Sequence, residues 1–215
     1  MKNRFVFFLG IFFTISSMVA QTTAIPDVIF EEYLETHASD GSTVDIGDQE
    51  SMGDGIANNG LVLTERISDV TLLNINGLGI SDLSGIDDFV SIETLFCSNN
   101  QLTTINISNN LSLISLSCGS NFLTELILDS NTDLEILDCA DNQIQDLDLT
   151  NNTALISLTA TGNQFTSLDV TSNSELTFLS VSNNRIAGEL NHDVEDIQAE
   201  RQLERELVKV TRAVS

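Results

Sequence analysis

The chain has 215 residues, of which 32 are Asp or Glu against 8 Lys or Arg, for a formal charge of −24, with a single Pro, 3 Cys and no Trp. Between Arg66 and Arg185 there is no Lys or Arg, so the central body holds nothing that neutralises phosphates or anionic headgroups, and nucleic acid and bare anionic membrane are excluded as expected partners. Such an excess of acid is read as a solvated, self-repelling surface rather than as a store for cations.

Residues 1–20 have the layout of an export signal and are set aside before the fold is considered. Lys2 and Arg4 form the charged start, residues 5–15 the apolar run, and Ser16, Ser17, Val19 and Ala20 the small-residue exit. The apolar run falls short of the roughly 20 residues that a membrane span needs, and no later run reaches that length. Cleavage is expected after Ala20, with Thr22-Thr23-Ala24 as a second usable site. Loss of 1–20 removes two bases and no acid, which leaves 6 Lys and Arg against 32 Asp and Glu and a formal charge of −26. The protein is expected to be secreted or associated with a cell surface.

Residues 21–69 read as an N-terminal cap, which an open repeat array needs because its first coil would otherwise present an apolar end to water. Ile25-Pro26-Asp27 is expected to open a helix, with Pro at its first position and Asp in its first turn. Phe30 and Leu34, four apart, with Ile29 and Tyr33 beside them, form a stripe able to cover that end. The stretch 40–59 is a polar, glycine-rich loop carrying Asp45, Asp48, Glu50 and Asp54. Its spacing does not fit a calcium-binding D-x-[DN]-x-[DN]-G-x5-E loop, so a solvated loop is expected in place of a calcium site, and no cofactor is expected elsewhere.

Residues 70–186 repeat with a period of 21, in about six coils. Written in register, 90–110, 111–131, 132–152, 153–173 and a fifth unit from Ser174 read L-x-x-L-x-(C/A/V)-x-x-N-x-(L/I/F), with Ile92 for the first Leu in the first of them, and a looser unit precedes them with Leu73, Ile75, Ile80 and Leu83 in phase and Leu78 in the asparagine slot. The alternations Leu95-Phe96-Cys97, Leu116-Ser117-Cys118 and Leu137-Asp138-Cys139 predict three-residue strands with two side chains inward and the middle one outward. Stacking of coils then lines up Asn100, Asn121, Asn142, Asn163 and Asn184 in one column and Asn110, Asn131, Asn152 and Asn173 in a second, both structural, serving turns on opposite sides of the coil. Asn106 and Asn151 fall in N-x-Ser/Thr sequons, as chance allows in a chain so rich in these residues.

Cys97, Cys118 and Cys139 stand 21 apart in one inward slot that Ala160 and Val181 fill in the next two coils. The slot wants a small apolar side chain and a thiol serves. An odd count of cysteines with parallel Cβ directions suits disulfides badly, and no histidine lies near to complete a zinc site.

This pattern resembles the leucine-rich-repeat family, and the cysteine ladder with its period of 21 is similar to the internalin-type bacterial repeat proteins. The resemblance implies a leucine-rich-repeat solenoid with a short parallel sheet on its concave face, few or no helices on the convex side, and a helical N-terminal cap. It also implies surface attachment and recognition of host or cell-surface ligands. The chain departs from such adhesins in having Pro26 as its single proline, which rules out an L-P-x-T-G wall-sorting motif within it, and in showing no immunoglobulin-like module.

Beyond Ile186 the period fails. Residues 187–215 are charged and rich in helix formers, and Leu203, Leu207, Val210 and Val214 recur at helical spacing, which predicts an amphipathic helix closing the stack, with Arg201, Arg205, Lys209 and Arg212 on a neighbouring face.

No catalytic constellation is present. His37 and His192 are the only histidines, no nucleophile or phosphate loop accompanies them, and an acidic pair such as Asp138 and Asp141 on an open sheet lacks the enclosure that raises one carboxyl's pKa. A non-enzymatic secreted or cell-surface module for recognition or adhesion, with a protein or carbohydrate ligand, is therefore expected. A structural surface component, or a piece of a longer adhesin with no ligand on this face, is the alternative. The candidate contact column on the concave sheet is Asn74, Phe96, Ser117, Asp138, Thr159 and Ser180, about 30 Å long at the strand spacing. Ligand identity and oligomeric state are not legible in the sequence.

Overall fold

The computed structural model describes residues 20–186, so the export signal expected in 1–20 falls, up to residue 19, outside the described residues, as does the helix expected in 187–215. Two short pairs of elements come first: β1 (Thr22–Ala24), α1 (Val28–Thr36), β2 (Leu61–Leu63) and α2 (Thr64–Ile67). Six strands follow, one per coil: β3 (Leu72–Asn74), β4 (Thr94–Phe96), β5 (Ser115–Ser117), β6 (Ile136–Asp138), β7 (Ser157–Thr159) and β8 (Phe178–Ser180). They form one parallel sheet in chain order, with Leu73, Leu95, Leu116, Leu137, Leu158 and Leu179 in register. A short 3₁₀ turn at Ile86–Asp88 is the one helical element between the strands among the described residues.

The period dictates this arrangement. Each coil supplies Leu at the strand centre, a small apolar residue two positions on, and further Leu, Ile or Phe around the turn, so every coil carries the same apolar interior and can bury it only against the next. Leu95, Leu116 and Leu158 are fully buried and Leu137 nearly so, each contributing about 2–3 kcal/mol of apolar burial. The facing of Leu95, Phe96 and Cys97 is as expected, but the hydrogen-bonded strand is Thr94–Phe96 and begins one residue earlier than the predicted one. Leu78, in the asparagine slot of the first coil, is exposed and supports nothing inside.

The cap differs from expectation at its start. Pro26 lies outside the helix; Asp27 is the N-cap, its Oδ1 accepting the N–H groups of Ile29 and Phe30 at 3.0 and 3.1 Å. Its Oδ2 accepts from Ser81 N–H, Ser81 Oγ and Asp82 N–H, which ties α1 to the first coil. Phe30 and Leu34 are buried, with Phe30 stacked on Phe89 of that coil at 6.2 Å, whereas Ile29 faces solvent and is no part of the stripe. The antiparallel pair β1–β2, which the sequence does not announce, closes the same end. Gly85, at φ 94, lets it approach: a Cβ there would sit 2.6 Å from the Ala24 carbonyl oxygen.

The loop 40–59 is held from both sides. The buried Glu35 carboxylate accepts N–H groups of Asp54 and Gly55 at 2.6 and 2.9 Å, and Glu31 accepts that of Asn59 at 2.8 Å. Arg66 Nη1 donates to the carbonyls of Asp48, Ser51 and Gly53. Charged side chains thereby replace the strand partners that this irregular segment lacks.

Candidate ligand-binding face

The solvent face of the sheet is built on two internal asparagine columns. Asn121, Asn142 and Asn163 each accept, through Oδ1, the N–H of Leu102, Leu123 or Ile144 in the coil before. Their Nδ2 groups donate to carbonyls in their own coil and the previous one, so Cys118 O is held by both Asn121 and Asn142, and Cys139 O by both Asn142 and Asn163. In the second column Asn131 donates to Ile107 O and Asn110 O, and Asn152 to Leu128 O and Asn131 O. No donor among the described residues reaches the buried Oδ1 of Asn110, Asn131 or Asn152.

Beneath the face lie the three cysteines, all free and fully buried. Burial pushes the Cys97 thiol up to about 12, and burial together with the nearby Asp138 does the same for Cys139. Cys118, between them, is raised well above the ordinary range by burial and by its neighbours Cys97, Cys139 and Asp138. Buried and neutral, the three thiols pack as small apolar groups in the slot that Ala160 fills in the next coil.

On the outer surface the register places Asn74, Phe96, Ser117, Asp138, Thr159 and Ser180 in one row, as expected. Much of its polarity is already engaged: Ser117 Oγ bonds Ser98 Oγ at 2.9 Å, Ser180 Oγ bonds Thr161 Oγ1 at 2.8 Å, and Asp138 Oδ1 accepts the Ala140 N–H at 3.1 Å. Phe96 is half-buried in this row.

A second outward row escaped the sequence reading: Leu72, Thr94, Ser115, Ile136, Ser157 and Phe178, the first residue of each strand. Beside it the residues entering strands β4 to β8, Glu93, Ile114, Glu135, Ile156 and Thr177, are also exposed. Ile114, Ile136, Ile156 and Phe178 are 36, 47, 40 and 50% exposed, and they alternate between the two rows from one coil to the next. They form a zigzag apolar stripe across four coils, about 15 Å long at the strand spacing, with Glu93 and Glu135 in the same entry row.

Elsewhere the chemistry is sparse. Among the described residues no three His, Cys, Asp or Glu side chains gather as a metal-holding group, and Asp48 and Asp54 turn carboxylate oxygens onto their own loop. His37 stacks on Tyr33 at 4.0 Å, its ring nitrogen against the Tyr33 carbonyl, whereas His192 lies outside the described residues. A depression on another side of the stack is lined by Glu125, Asp129, Asp146 and Asp148. Thr150 donates to Asp148 through side chain and backbone and holds its carboxyl below the usual range, the opposite of what a general acid needs. No helix among the described residues is long and apolar enough to cross a membrane.

No family model matches the sequence, and no curated protein does. Among solved structures, the functional domain of InlJ from Listeria monocytogenes, which includes a cysteine ladder, is 28% identical with a TM-score of 0.65. The chain is a leucine-rich-repeat solenoid. The match to InlJ covers 79% of this chain and 35% of that one. The Leptospira interrogans leucine-rich-repeat protein LIC12759, 23% identical with a TM-score of 0.53, covers 58% of this chain and is itself covered to 34%, and it agrees in fold. The solenoid thus spans about a third of the length of both neighbours.

Proposed function

We propose that this leucine-rich-repeat solenoid is an exported or surface-exposed recognition module that binds a protein through the solvent face of its sheet. The observation that carries the reading is the zigzag of Ile114, Ile136, Ile156 and Phe178. Four large apolar side chains stand in solvent on the one extended regular surface of the fold, where Ser or Thr holds the strand equally well in alternate coils. Apolar anchors grouped at a centre are the usual source of protein-binding energy, whereas sugar hydroxyls call for free polar groups, and those of the Asn74-to-Ser180 row are largely bonded to neighbours. Phe96, at the margin of the stripe, adds an aromatic contact. Glu93 and Glu135, in a protein without basic residues between Arg66 and Arg185, favour a ligand with an apolar patch and a basic rim.

The test uses labelled protein from Gln21 onward on intact cells, with and without prior protease treatment of the cell surface. Ile136→Ser/Ile156→Thr is the variant, because Ser115 and Ser157 already occupy the first slot and Thr177 the second. The fold is therefore retained while the stripe is cut. Saturable binding that protease abolishes and that the variant weakens about 30-fold is expected, the scale of losing roughly 2 kcal/mol of anchor contact. Binding indifferent to both treatments would sink the proposal.

A further inference from the structure

Two cleavage sites for the leader are open in the sequence, after Ala20 and after Ala24, and the fold discriminates between them. Thr22–Ala24 is β1, paired in register with Leu61–Leu63. Within it Thr23 is buried, with its Oγ1 donating to Asp88 Oδ2 at 2.6 Å and bonded to Thr64 Oγ1 at 2.8 Å, and Gly85 is packed against the Ala24 carbonyl. Cleavage after Ala24 would strip this strand from the first coil. Cleavage after Ala20 leaves β1 whole and Gln21 as the first residue, its side chain exposed and its carbonyl accepting the Thr64 N–H at 3.0 Å.

We infer that Gln21 is a modification site and that the mature protein begins with pyroglutamate. The new α-amine, with an ordinary pKa of about 7.7–8.0, is mostly protonated at pH 7, and the minor free-base fraction, roughly a tenth to a sixth, is the nucleophile. It attacks the side-chain carbonyl carbon Cδ of the same residue; the N–Cδ bond closes a five-membered lactam, the bond from Cδ to the side-chain nitrogen breaks, and that nitrogen leaves as ammonia with a proton from the attacking amine. Nothing is oxidised or reduced, and because the nucleophile and the carbonyl belong to one residue the step gains the advantage of an intramolecular reaction. The carbonyl that accepts the Thr64 N–H is retained, so β1 and β2 stay paired while the amino terminus loses its positive charge and its free amine. The end of the cap is then closed to aminopeptidases, which need that amine.

This inference rests on the export reading above, and the test separates the two. The full chain is expressed with its own leader in an exporting bacterium, and the intact protein from the exported fraction is treated with an amine-methylating reagent before digestion. An unlabelled N-terminal peptide that starts at residue 21 and is lighter than the Gln form by one ammonia is expected. A Gln21→Asn variant is cut at the same bond but keeps a labelled amine, because its ring would have only four members. A labelled Gln21, or an exported chain that begins at any other residue, overturns the inference while leaving export intact; absence of the chain from the exported fraction overturns both.

Discussion

Replacing one asparagine in each internal column distinguishes structural duties that burial alone does not. Asn142→Ala removes an Oδ1 that accepts the Leu123 N–H at 2.9 Å and an Nδ2 that donates to Cys118 O and Cys139 O. Both carbonyls keep a partner, Asn121 for the first and Asn163 for the second, but the Leu123 N–H is left buried and unmade. Asn131→Ala removes donors only: Ile107 O keeps the Asn110 N–H and Asn110 O keeps the Leu113 N–H, so no donor is orphaned. Both variants lose the same side-chain atoms from interior sites. The difference is therefore the desolvated N–H, about 1–3 kcal/mol, with Asn142→Ala the worse. Urea unfolding followed by circular dichroism measures it: with a slope of about 2 kcal/mol/M, the midpoint of Asn142→Ala should lie roughly 1 M below that of Asn131→Ala. Equal midpoints, or the reverse order, would refute the assignment of the Oδ1 bond as the costly one.

The thiols of Cys97, Cys118 and Cys139 should resist an aromatic disulfide reagent at pH 8 until the chain unfolds, and Cys118→Ala, the residue already present as Ala160, should cost no more than about 1 kcal/mol. Because these thiols are raised in the fold to about 12 at Cys97 and Cys139, the unfolded chain releases their protons first, so stability should be full below about pH 8.5 and decline as pH climbs towards 12 in thermal melts. Asp27 behaves in the opposite sense. Burial raises its carboxyl but the donors Ser81, Phe30 and Asp82 outweigh this and lower it, so its contribution should be present above about pH 4 and lost on further acidification, and Asp27→Ala should flatten that part of the acid-stability profile. Gly85→Ala forces a left-handed backbone onto a residue with a Cβ and drives that atom against the Ala24 carbonyl and Ile25, and should cost about 2–3 kcal/mol, with hydrogen exchange accelerated first in β1 and β2.

The interior of the coils was legible because it obeys one period. Leu95, Cys97, Asn100 and Leu102 recur every 21 residues as identical side chains or close substitutes, and a stack leaves them no other place. The outer face was read only in part. Between the two leucines of L-x-x-L lie two residues, and strict alternation sends one inward; the chain bends at the strand entry instead, so both Ile114 and Ser115 face out and an apolar stripe appears where only the Asn74-to-Ser180 row was expected. The cap was legible only where it was helical. Phe30 and Leu34 announce themselves by spacing, but β1 finds its partner 39 residues away, and Glu31 and Glu35 are buried because of N–H groups in a loop whose path no local pattern sets.

The sharing of carbonyls between successive asparagines bears on how such a molecule changes length. Every bond that Asn142 makes reaches no farther than its own coil and the one before, and Asn163 makes the same set one step on. Excising residues 132–152 would bring Asn163 to the Leu123 N–H and to Cys118 O, and the rungs would close over the gap with one strand fewer. A deletion one residue shorter or longer would present Gly162 or Gln164 to those groups in place of Asn163. Duplication and loss in units of 21 residues are thus nearly silent in the interior, while each one slides the Ile and Phe of the outer stripe past one another. The outer face can in this way be reshuffled by recombination without renegotiating the fold.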